Sequence, residues 1–146
     1  PVPHACIGGV FIKGTDSPLA QARKIGLALL TWNTQTVSLD SLSAYLREAR
    51  MLQRLGHQPV LIVCDNGSTD GTQAALHALE SEIYFEHRLI FNPKNFGSSI
   101  ARNQIIKAAL ELNTDYLLFM DGDIEIVPFS SFPMSFLIFS GFNELV

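Results

Sequence analysis

"PVLIVCDNGSTDGT", Pro59 to Thr72, joins two unlike halves. Val60 to Cys64 are consecutive apolar residues, and Asp65 to Asp70 then follow without one apolar side chain. An unbroken short apolar run suits a strand buried on both faces, and such strands belong to parallel sheets covered by helices. The turn residues that end it lead into a segment suited to a helix from about Thr72 to Leu79, with Ser68, Thr69 or Asp70 as its cap.

The same plan recurs on either side. "IGLALLTWN", Ile25 to Asn33, reads as a first core strand that stops at polar residues. Ser38 or Asp40 is expected to cap a helix whose apolar positions Leu42, Tyr45, Leu46, Ala49 and Leu52 share one face, ending near Gly56. "HRLIFNPKNFGSSIARNQIIKAALEL" predicts a short strand at Leu89 to Phe91, a loop with Pro93 and Gly97, and a helix from about Ser98 to Leu112; "DYLLFMDGD" is a fourth strand. Strands alternating with helices predict an α/β fold: a mostly parallel sheet with helices on both faces. Ligands of such sheets bind beyond the carboxyl ends of the strands, where each unit here places its polar residues. Residues 1–24 read as an N-terminal extension with a short strand at Cys6 to Ile12, and 25–128 as the domain proper.

Composition narrows the function classes. With 146 residues, 47% hydrophobic and 16% charged, the chain suits one domain with a substantial core. A net charge of -4 without a basic block argues against nucleic acid as the main partner. Cys6 and Cys64 lie far apart with no zinc-ligand spacing, so they read as reduced thiols of a cytoplasmic protein. His4, His57, His77 and His87 also lack metal-ligand spacing and read as surface or loop residues. No apolar run reaches the ~18 residues of a membrane span. The chain opens on Pro1 and closes on the apolar "FPMSFLIFSGFNELV", which gives the expectation of a truncated chain. Residues 129–146 would then begin an acceptor-side region, whose apolar face further chain, a second copy in a homo-oligomer or a membrane surface would cover.

Three strand ends carry the candidate chemistry. Asp121 and Asp123 flank Gly122 where the fourth strand ends, so the two-residue period sends both carboxylates to one side. Like charges so placed repel unless a cation lies between them, and Mn²⁺ or Mg²⁺ favours such oxygen ligands together with substrate phosphates. At the second strand end, the amide of Asn66 has a donor and an acceptor to suit a uracil or thymine edge. In the third unit, Lys94 in the loop and Arg102 in the first turns of the helix face the same mouth as the helix N-H groups, an anion site. Trp32 suits either stacking on a base or strand-end packing. Neither a Walker A sequence nor a GxGxxG fingerprint is present.

Taken in order, "LLTWN", "VCDNGSTDGT", "NFGSSIARNQIIKAA" and "FMDGDIEIVP" resemble the motifs of the family-2 glycosyltransferases of the GT-A fold, from about Ile25 to Pro128. The resemblance implies a Rossmann-like sheet that binds a nucleotide diphosphate sugar, UDP- or dTDP-type favoured, and transfers the sugar with inversion to an acceptor the sequence does not name. It assigns Thr31 and Asn33 to the nucleoside, Asn66 to the position that reads the base with Asp65 before it among the nucleotide-sugar-binding residues, and Arg102 to the nucleotide and diphosphate. Asp123 falls to the metal, and Asp121 to the ribose or the metal. Asn66 stands where the family often has aspartate. No residue presents itself as the general base: beyond Pro128 the sole carboxylate is Glu144, and Glu125 reads as a structural neighbour of the metal motif. A non-catalytic nucleotide-sugar-binding fragment is the alternative. A haloacid-dehalogenase-like phosphatase also places DxD after a strand, but here Ile124 and Glu125 follow the motif.

Overall fold

The computed structural model describes residues 21–121. Its elements are β1 (Lys24–Thr31), α1 (Gln35–Arg54), β2 (Gln58–Asp65), α2 (Thr72–Leu79), a 3-10 turn (Glu80–Glu82), β3 (His87–Phe91), α3 (Ser98–Glu111) and β4 (Tyr116–Asp121). The strand expected at Cys6 to Ile12, Asp123, Glu125 and the segment 129–146 lie outside the described residues.

All strand pairs are parallel, in the order β3-β2-β1-β4. The carboxyl ends therefore share one edge, and the order reverses beside β1, since the chain builds outward to β3 before crossing back to β4. In open α/β sheets the crevice at such a reversal receives the ligand. Register fixes what meets there: Thr31 lies opposite Asp65, and Leu30 lies between Cys64 on one side and Asp121 on the other.

Each sheet face has its own core. Ile25, Leu27, Leu29, Leu61, Val63 and Leu118 pack with Leu42, Tyr45, Ala49 and Leu52 of α1 and Leu76 of α2. Ala28, Val60, Ile62, Cys64 and Leu117 face the small side chains Ala101, Ala108 and Ala109 of α3, together with Ile105. Full burial of one such aliphatic side chain contributes roughly 1.5–3 kcal/mol. Because β1 and β2 alternate between two dry faces, they carry no polar side chain between their first positions, Lys24 and Gln58, and their last, Thr31 and Asp65. The Tyr45 hydroxyl, buried within the first core, donates to the Ala28 carbonyl at 2.7 Å.

Several boundaries differ from the sequence expectation. The first strand stops at Thr31, because Asn33 adopts a φ of 50°, outside the extended region. Helix α1 starts at Gln35, before the expected caps; Ser38 is buried and hydrogen-bonds Thr31 and Thr34 instead of capping. Strand β2 begins at Gln58 and contains Pro59, which is tolerated because β3 pairs only from Leu61 onward, so no ladder bond toward β3 is lost. His57 lies in the loop before β2, as expected of a surface or loop residue, but it is buried there, and its Nδ1 accepts the Arg23 N-H at 3.3 Å.

Candidate functional site

The loops at the carboxyl edge are built from polar side chains that hold each other. Asp65, the last residue of β2, is fully buried. Its Oδ1 accepts the N-H groups of Gly67 at 3.1 Å and Ser68 at 2.9 Å, and Nε2 of Gln73 at 2.6 Å. Its Oδ2 is also buried and has no hydrogen-bond partner. The turn that follows needs Gly67, whose φ is 79° and whose added Cβ would lie 2.3 Å from the Lys94 carbonyl carbon. Gly67 thus lets two loops touch backbone to backbone, which no side chain at that position would permit.

Asn66 joins the β2 loop to the β3 loop. Its Nδ2 donates to Asn95 Oδ1 at 2.9 Å and to the Gly97 carbonyl at 3.3 Å; its Oδ1 accepts from Asn92 Nδ2 at 3.0 Å and from the Phe96 N-H at 3.1 Å. Both donors and both acceptors of this buried amide are thereby taken by the protein. The base-reading role expected of Asn66 has no free group to perform it in this arrangement. Asn92 exchanges a reciprocal pair of bonds with Gln104 of α3, at 2.8 and 3.0 Å, and its backbone N-H donates to the Asp65 carbonyl at 2.9 Å. Cys64 lies beside this cluster, where burial pushes its thiol up to about 11, the Asp65 charge adding to the shift.

The junction between the β1 and β2 loops is built differently. The Thr31 hydroxyl is buried and hydrogen-bonds those of the buried Ser38 and the half-buried Thr34, and its carbonyl accepts the Asn66 N-H at 2.9 Å. The Asn33 N-H donates to Ser68 Oγ, and Asn33 Oδ1 accepts the Thr69 N-H, both at 2.8 Å. Asp70 then bridges two helices: Oδ2 accepts the Gln35 N-H at 3.0 Å, while Oδ1 accepts the Thr72 N-H at 3.1 Å and its hydroxyl at 2.5 Å. These donors hold the Asp70 carboxyl below its ordinary range, the Thr72 hydroxyl first, partly opposed by desolvation and aided by the backbone N-H groups. Trp32 protrudes from this junction with 51% of its surface exposed, so strand-end packing does not claim it.

Toward β4, the Arg102 guanidinium sits 6.0 Å from the centroid of the Phe119 ring, two residues before Asp121. Lys94 Nζ, in the loop before α3, lies 5.5 Å from the centroid of the Phe96 ring. Thr31, Asn33, Asp65 and Asn66 therefore meet at adjoining strand ends, Arg102 leans toward β4, and Asp121 takes its place through the strand register. Among the described residues, no three His, Cys, Asp or Glu side chains form a metal-binding group. Sequence reasoning missed Asn92, Asn95, Gln73 and Gln104. One signal was present: an asparagine follows each of the first three apolar runs, at Asn33, Asn66 and Asn92.

This edge of loops on a parallel sheet coincides with a family match. The model for "Glycosyl transferase family 2" covers residues 49–130. The chain belongs to glycosyl transferase family 2. None of the curated proteins compared with it matches. Among solved structures, this family-2 chain is similar to the mannosyltransferase PcManGT from Pyrobaculum calidifontis in complex with GDP-Man and Mn²⁺. The TM-score is 0.60 at 18% identity, over 72% of this chain and 29% of that one. It is also similar to S. aureus TarS 1-349 in complex with UDP, with a TM-score of 0.53 at 19% identity, over 68% of this chain and 27% of that one. The family-2 chain thus spans less than a third of either structure's length, and at these identities the likeness speaks to the GT-A fold. Among the described residues, no helix is long and apolar enough to cross a membrane.

Proposed function

We propose that this chain forms the donor side of an inverting, cytoplasmic glycosyltransferase, binding a nucleotide diphosphate sugar at the carboxyl edge of the sheet between β1 and β4. The observation that carries the reading is the register: it gathers Thr31, Asp65 and Asp121 at the one reversal point of a family-2 sheet. Relatives of the same fold were solved with GDP-Man and with UDP, which supports a nucleoside diphosphate as the ligand class. UDP or dTDP remains the favoured nucleotide.

The residues divide the work by position. The exposed face of Trp32 offers a stacking surface for the base, and Asn33 fixes the loop that presents it. With the Asn66 amide committed to the protein, Asp65 has the remaining acceptor in Oδ2, and we assign it the N-H of the base edge. That contact requires the Asn66–Asp70 loop to yield slightly, because Oδ2 is buried. Arg102 lies where a cation offsets diphosphate charge.

The donor set at the end of β4 fits a hard divalent ion. It consists of carboxylate oxygens, and Asp121 ends its strand at the same edge as Thr31 and Asp65. Asp121 and Asp123 would hold Mn²⁺ or Mg²⁺, which supplies Lewis-acid stabilisation of the departing diphosphate. Transfer with inversion then needs an acceptor hydroxyl attacking from the face opposite the diphosphate.

Calorimetric titration of the chain with UDP, dTDP and GDP, with and without Mn²⁺, tests the reading. The expected result is metal-dependent binding of one nucleotide, with the metal dependence lost in Asp123→Ala. Binding of equal strength with and without metal would overturn the metal assignment, and no binding of any of the three would overturn the donor site.

A further inference from the structure

The loop between β1 and α1 is only Trp32, Asn33 and Thr34, and it is held by groups from another loop. Thr34, at the N-cap of α1, makes no side-chain cap bond, and neither does Gly71 at the start of α2. One carboxylate serves both helix starts. Asp70 Oδ2 takes the Gln35 N-H from 35 residues away, and Oδ1 takes Thr72 through both its N-H and its hydroxyl. Two positive helix ends converge on that single charge. The neighbouring Asn33–Ser68 and Asn33–Thr69 bonds run between the same two loops and hold Asn33 at its left-handed φ of 50°.

Resting on the donor-site reading above, we propose that Asp70 is a positioning residue: by bridging the starts of α1 and α2 it fixes the Trp32–Thr34 loop, and with it the wall that the nucleoside meets. An ordinary N-cap acts on its own helix. Asp70 acts on a helix before it in sequence, and the residues between that helix and β1 are the ones the nucleotide would touch. Removing the carboxylate leaves the Gln35 N-H without its bond and frees the loop, while the strands beneath remain packed by their two cores.

The sole tryptophan, Trp32, lies in this loop and reports on it directly. Asp70→Ala and Asp70→Asn are compared with the unsubstituted chain by acrylamide quenching of Trp32 and by amide exchange at Gln35, both without nucleotide. UDP is then titrated in the presence of Mn²⁺. In Asp70→Ala, Gln35 exchanges and UDP dissociates about tenfold more readily, the scale of a lost cap. Trp32 quenching changes, exchange in the centres of β1 and β2 does not, and Asp70→Asn falls between, since its amide keeps one acceptor oxygen. Unchanged Trp32 and Gln35 signals overturn the positioning role whatever the nucleotide does. A loosened loop with unchanged UDP affinity overturns its link to the site. If the unsubstituted chain binds neither UDP nor GDP, the donor reading falls and the wall falls with it, while the nucleotide-free signals still decide whether Asp70 fixes the loop. Should Asp70→Ala fail to fold, Asp70→Ser, which shortens the side chain out of reach of the Gln35 N-H while keeping a polar cap for α2, is put through the same measurements, and unchanged Trp32 and Gln35 signals overturn the positioning role.

Discussion

Two seams hold the ligand-facing loops together, and they use opposite chemistry. Between β2 and β3 the seam is made of amides: the buried Asn66 and Asn92 exchange hydrogen bonds with each other, with the half-buried Gln104 and with the exposed Asn95, above the α3 core. Between β1 and β2 it is solvent-exposed and charged, with Asp70 gathering N-H and hydroxyl donors from two helices. Burial accounts for the difference. An ionised group at the position of Asn66 would lose its hydration and face the Asn95 and Gly97 oxygens, whereas an amide offers donors to both; the buried Asp65 carboxylate beside it turns to donors instead, the Gly67 and Ser68 N-H groups and Gln73. At the exposed seam a carboxylate keeps part of its hydration and gathers more donors than a neutral side chain would. The buried seam should therefore be rigid and insensitive to acid, and the exposed one adjustable.

The largest break is expected at Gly67, where both loops touch. Gly67→Ala combines a left-handed φ with a Cβ 2.3 Å from backbone, and we expect a loss of about 2–5 kcal/mol by urea denaturation. Next comes Asn66→Asp, which turns two donors into acceptors facing acceptors. It should cost about 3 kcal/mol at neutral pH and less in acid, where protonation restores one donor; an unchanged stability would show that the buried seam does not depend on amide donors. Cys64 tests the same seam by pH. Its folded value of about 11 lies above the ordinary 9.0, so its contribution to stability is complete below 9.0 and is lost as pH rises toward 11. At neutral pH it should resist thiol reagents unless the chain unfolds.

The smallest effect, and the one confined to the exposed seam, is Asp70 in acid. Its folded value lies below 3.8, so its bonds to Gln35 and Thr72 stabilise the fold fully above 3.8 and weaken as pH falls below it. Amide exchange at Gln35 should accelerate there while exchange at Phe96, bonded to Asn66, keeps its protection. Equal acceleration at both would erase the distinction between the seams.

Much of the fold was legible because β1, β2 and β4 each read as an apolar run, and burial on both faces leaves no other pattern. The start of α1 was not legible: Ser38 is a good cap by type, but it turns inward to Thr31, and the bond that begins the helix comes from Asp70, far along the chain. Asp70 was recognisable as a cap for the helix that follows it. Its second bond, back to Gln35, depends on β1 and β2 lying side by side.

Sequence alone determined the α/β class, the parallel order of units and the residues gathered at strand ends, because apolar runs and turn chemistry are local properties. Only the tertiary structure decided what those residues face. Asn66 and Asp70 are both polar turn residues five or fewer positions after the same strand, yet one is sealed among amides and the other bridges two helices in solvent. That difference arises because loop 92–97 closes over one of them and the β1 loop meets the other at its rim, and contacts between distant segments fix both.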